Sequence, residues 1–214
     1  MKKLILSLFA IALMFTSMAQ KSSFETAMKA NIAQLDTSST AEGYLTLANN
    51  FERIGNAEKT KWQPFYYAAY CYVTLAYLSP DKSQIDPLAD KAEALLQQAD
   101  AIEKNNSEIS CLFATIASCR ILVDPVSRFQ TKGREAQMQL EKAKQQNPDN
   151  PRIYLLQARI QFRTPEGLGG GKKAAKESAE MAVQKFKDFK PENSIAPHWG
   201  QQQAKSLLDN INAQ

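Results

Sequence analysis

Apolar residues recur at helical spacing along almost the whole chain, and polar residues fill the faces between them. Leu88, Ala92, Leu95 and Ala99 form one such stripe, Ala136, Leu140 and Ala143 a second, and Ala175, Ala179, Ala182, Val183 and Phe186 a third. Each is backed by a Lys/Glu/Gln face, the pattern of a helix with one side against a core. The periodicity predicts nine helices, at about 23–36, 41–54, 61–78, 86–104, 108–122, 128–146, 151–163, 172–189 and 197–212. No stretch alternates with a period of two, so no sheet is expected. Helix starts are marked by Ser22 with Glu25 and Ser39 with Glu42 at capping-box spacing. Asp86-Pro87 and Asn150-Pro151 place a capping side chain before a proline. Asp124-Pro125 is similar, although Gly133 suggests a looser segment before the next helix.

The chain also repeats itself. Ala99 aligns with Ala143, Asn106 with Asn150, Ile109 with Ile153, Leu112 with Leu156, Ala114 with Ala158 and Ile116 with Ile160, all at one offset of 44 residues. A fixed period of this size, carried by helices, predicts a stack of helix pairs. The segments near 61–78, 108–122 and 151–163 are apolar on more than one face, as expected of the sandwiched first helix of each pair. The striped helices suit the second, solvent-facing position.

Ala99 and Ala143, the run Asn147-Pro148-Asp149-Asn150-Pro151 and the aromatic helix opening at Trp62 resemble the tetratricopeptide-repeat family over most of 61–212. The period departs from that family's, which is about 34 residues. The resemblance implies an all-α fold of antiparallel helix hairpins stacked as a short right-handed superhelix, with the first helices lining a concave groove. The segments Thr164 to Lys172, Phe189-Lys190-Pro191 and Pro197-His198-Trp199-Gly200 are similar to exported repeat proteins of Bacteroidetes-type bacteria.

The 214 residues are 44% hydrophobic and 22% charged, an ordinary folded composition. The first 19 read as an export signal: Lys2 and Lys3, an apolar run from Leu4 to Phe15, and small residues at Ser17 and Ala19 for cleavage after Ala19. The run is shorter than the ~20 residues of a spanning helix. Residues 20–214 are then a single helical-repeat domain, periplasmic or secreted, with no stable membrane anchor. Cleavage takes two lysines from a formal charge of +4, which leaves little argument for nucleic acid. Cys111 and Cys119 lie eight residues apart on one predicted helix, ~12 Å and beyond disulfide reach. Cys71 with either is the one intramolecular option, and burial of three free thiols the preferred reading.

Few constellations suggest catalysis. Gly167 to Lys172 lacks the spacing and the hydroxyl of a phosphate loop. Gly169, Gly170, Gly171 and Lys172 are kept as a weak anion-binding candidate. His198 is the only histidine, and no CxxC, GxSxG or HExxH stretch exists. Tyrosine is costly to bury without a partner for its hydroxyl, so Tyr66, Tyr70 and Tyr77 are candidates to line a groove. Arg152, Arg159 and Arg163 share one helical face, and the resemblance places them in that groove. The expectation is a non-enzymatic scaffold, without cofactor or metal, that holds a protein or peptide partner, an acidic one suiting the arginines. The alternative is a periplasmic small-ligand-binding protein or enzyme with its pocket near 167–172 and His198. A third reading is a subunit of a larger assembly.

Overall fold

The computed structural model describes residues 23–213. The expected signal segment and the Ser22 cap lie outside them. The described residues form nine α-helices: α1 (23–35), α2 (Ala41–Glu58), α3 (Trp62–Leu78), α4 (Ile85–Ile102), α5 (Ser107–Arg120), α6 (Pro125–Gln146), α7 (Pro151–Arg163), α8 (Lys172–Asp188) and α9 (Gln201–Asn212). Single 3₁₀ turns at Lys82–Gln84 and Glu166–Leu168 precede α4 and α8. No strand occurs among the described residues.

The pairing follows the sequence pattern. Helix α3 packs against α4, α5 against α6 and α7 against α8, while α3, α5, α7 and α9 follow one another as a row. The first helices are enclosed: α3 buries 13 of its 17 residues. The outer α6 buries only Ala136, Leu140 and Ala143. Alanine at these contacts lets neighbouring helices approach closely. The core starts in α1–α5 and continues through smaller clusters around α5–α7 and α7–α9. All three cysteines are free and buried. Burial pushes their thiols up, that of Cys119 to about 12.

Several boundaries differ from expectation for local reasons. The cap of α2 is Thr40, not Ser39; its hydroxyl accepts from the Gly43 amide at 3.1 Å. Helix α4 starts at Ile85, because the turn capped by Asp81 leads directly into it. Asp86 therefore caps nothing, and its carboxylate lies 2.8 Å from Arg128 and 3.6 Å from Arg120. Asp124 caps α6 directly at Pro125, and Gly133 sits inside that helix. Helix α9 begins at Gln201 because Gly200, at φ +117°, breaks the helical path, and a Cβ there would collide with Phe186.

Helices α2 and α3 approach closely at Gly55, where an added Cβ would lie 2.8 Å from the Phe65 ring. Gly55→Ala is expected to overpack this contact and lower stability by about 1–3 kcal/mol, read as a lower urea midpoint with an unchanged slope.

Candidate functional site

The segment 189–200, between α8 and α9, is not helical and crosses back over the row of first helices. Three polar contacts hold this strap. Arg152, in the first turn of α7, is fully buried (0% exposed). Its Nη1 donates to Glu108 Oε1 of α5 at 2.8 Å, and its Nη2 donates to the Pro197 carbonyl at 2.8 Å. Its guanidinium lies against the rings of Phe189 (4.8 Å), Trp199 (5.0 Å) and Phe186 (5.8 Å). Farther along the strap, Trp199 Nε1 donates to the Tyr66 hydroxyl at 2.9 Å. His198 Nε2 lies 3.0 Å from both carboxylate oxygens of Asp36, just beyond α1.

The repeat explains the first contact. Glu108 and Arg152 occupy equivalent positions, 44 residues apart, and face each other across adjacent first helices. Asn150 completes the junction. Its carbonyl oxygen accepts from the Arg152 amide at 3.0 Å and caps α7, while its amide nitrogen donates to Ser107 and Glu108, both at 3.0 Å.

Tyr66 and Arg152, expected in a groove, are thus interior. The Tyr66 hydroxyl and the Arg152 guanidinium find their partners inside the protein, which is what makes their burial tolerable. The other four expected residues gather beside the strap. Tyr70 and Tyr77 of α3 are half-buried, as are Arg159 of α7 and Trp199; Arg163 is exposed. The Tyr70 and Trp199 rings lie 5.1 Å apart, tilted by 40°. The Tyr77 hydroxyl donates to the Thr115 carbonyl of α5 at 3.3 Å, and Arg163 lies 5.4 Å from the Tyr77 ring centre. Gln203 of α9 sits next to the Tyr70 hydroxyl. Burial pushes both phenols up, so they remain neutral.

Arg159 stands apart from Arg152. Its repeat counterpart on α5 is Thr115, not a carboxylate. Among the described residues it has no hydrogen-bond or ion-pair partner, and its charged neighbour is Arg163. Desolvation pulls its pKa down, the tyrosines beside it acting in the opposite sense. The face therefore offers aromatic surfaces near a guanidinium that no group among the described residues neutralises.

The Gly-rich loop is arranged differently. The amides of Gly169, Gly170 and Gly171 donate to the carbonyls of Glu166, Pro165 and Gln161, and Lys172 Nζ donates to the Ala213 carbonyl at 2.6 Å. Two cavities, of about 400 and 300 Å³, are lined by neither this loop nor His198. Among the described residues no group of three or more His, Cys, Asp or Glu is placed to hold a metal, and no helix is long and apolar enough to cross a membrane. Sequence reasoning left Glu108 and Gln203 without a role, although the opposite charges at Glu108 and Arg152, one period apart, were a readable signal.

The fold is an all-α stack of adjacent helix pairs. No protein-family model and no curated protein matches the chain. Among solved structures it is similar to the HusA haemophore from Porphyromonas gingivalis, at 40% identity and a TM-score of 0.80, over 88% of this chain and 92% of that one. The chain belongs to the family of that haemophore. A haemophore is a carrier, so the expectation of a non-enzymatic protein stands. The same finding corrects the expected function and partner. The solved relative is named for a small ligand rather than a protein or peptide partner, and the alternative of a small-ligand-binding protein fits it better.

Two substitutions separate the arginines. Arg152→Met strands Glu108 in the interior and is expected to cost about 3–5 kcal/mol, with red-shifted Trp199 emission as the strap loosens. Arg159→Leu removes a charge that nothing compensates and is expected to stabilise the fold by about 1 kcal/mol, read as a raised urea midpoint.

Proposed function

We propose that this protein is a haem-binding carrier that takes its ligand on the face formed by α3, α7 and the strap. The observation that carries this reading is the 40% identity to a haemophore across nearly the full length of both chains. The site supplies chemistry that suits it. Haem is a flat, largely apolar macrocycle with two carboxylate side chains. Tyr70, Tyr77 and Trp199 present half-buried ring surfaces to such a plane, and Arg159 with Arg163 presents positive charge at its edge. His198 is committed to Asp36 and the three thiols are interior. Recognition on this face accordingly uses ring contacts and charge, and no axial ligand to the iron is assigned.

The expected export signal over 1–19 supports work outside the cytoplasm, in the periplasm or beyond the cell. The stacked hairpins support a tetratricopeptide-like array. In this role the rigid α3–α5–α7 row holds the binding residues in place and the strap forms one wall.

Titration with haem tests the reading. A saturable one-to-one change in the haem absorption band is expected. In a Trp62→Phe background, where Trp199 is the remaining tryptophan, its emission should be quenched with the same midpoint. Tyr77→Ala should fold normally and bind about tenfold more weakly, the loss of one aromatic contact. Absence of any saturable change in the wild-type protein would refute the reading.

A further inference from the structure

We infer that Arg159 is a carboxylate receptor that selects which flat ligands this face accepts, engaging an ionised propionate of the bound tetrapyrrole. The inference rests on the haem reading and adds to it a specificity-determining residue and a ligand orientation.

The other enclosed guanidiniums of the described residues are neutralised. Arg152 has Glu108. Arg120, whose side chain is 10% exposed, has Asp90 and Glu93 at 2.7 Å and Asp86 at 3.6 Å. The half-buried Arg128 has Asp86 at 2.8 Å. Arg159 alone among them, half-buried on α7, has no acceptor among the described residues, and its charged neighbour is another cation, Arg163. A half-buried guanidinium without a partner keeps its donors open, so its position suits an acceptor from outside the chain. That acceptor must be anionic, because the shortfall is a full charge. It is best planar and bidentate, because a guanidinium presents parallel N–H donors matched to carboxylate geometry. It is best attached to an apolar body, since Tyr70 and Tyr77 lie beside Arg159 and the Trp199 ring lies against that of Tyr70.

Arg163 is not equivalent. It is exposed and leans on the Tyr77 ring, so solvent screens its charge and a pair made there contributes little. The ligand is thus oriented with one carboxylate at Arg159, its ring toward Tyr77 and Trp199, and its second carboxylate near solvent.

A ligand–protein cycle tests this. Wild-type protein and Arg159→Met are each titrated with haem and with haem dimethyl ester in one detergent-containing buffer. Esterification should weaken binding to wild type by at least tenfold. Arg159→Met should bind haem at least tenfold more weakly and bind the two ligands within about twofold of each other. Arg159→Lys should recover part of the discrimination, and Arg163→Met should leave most of it. Equal binding of haem and its ester by wild type overturns the inference without needing any variant. So does an esterification penalty of the same size in wild type and Arg159→Met. Either result, with haem still bound, leaves the haem reading intact; a wild-type protein that binds neither ligand removes both.

Discussion

One buried charge pair organises this molecule. Arg152 lies wholly inside the protein, and four neighbours make that tolerable: Glu108 supplies the opposite charge, the Pro197 carbonyl takes a second donor, and the Phe189 and Trp199 rings lie against the guanidinium. The pair joins α5 to α7, and through Pro197 it joins both to the strap. A strap without helical hydrogen bonds of its own needs fixed anchors, and Arg152 provides one at the centre of the row. Trp199 is then placed against both Tyr66 and Tyr70, so the wall of the proposed site descends from an ion pair some distance along the array.

The same repeat that creates this pair creates the contrast at Arg159. Stacked hairpins bring residues one period apart face to face. At the first turn the opposing residues are Glu108 and Arg152 and the charges cancel. Two turns later the repeat counterparts are Thr115 and Arg159, and Thr115 brings no charge. A single geometric rule yields a structural pin at one level and an uncompensated cation at the next. The pin resists change because removing either partner strands the other in a medium of low polarity. An unpaired cation works against local stability, the trade expected where the proposed ligand would take it up.

Stacked hairpins are read readily as docking platforms for proteins, and that reading was wrong here because a fold does not carry a function with it. What separates a peptide groove from a small-ligand face is how much of the first-helix row is covered. The strap occupies part of that row, and it removes Tyr66 and Arg152 from any external partner. Its course could not be read from local pattern. Pro197-His198-Trp199-Gly200 looks like the opening of a helix, and the positive φ of Gly200, at a position where the Phe186 ring leaves no room for a Cβ, makes it a turn.

The sequence by itself determined the helices and their pairing, because apolar periodicity and capping side chains act within a few residues. Asn150 and Asp124 cap where the local code places them. The 44-residue offset marked Glu108 and Arg152 as equivalent positions, and the structure brings the two together. Tertiary structure alone decided which of three arginines on one face would be interior, which half-buried and which exposed. Their spacing is helical and their chemistry identical. Their fates differ because the strap, arriving from some 40 residues downstream, seals Arg152 under Pro197 and stops short of the other two. Charge burial depends on what lies across the gap, and no window along the chain contains that information.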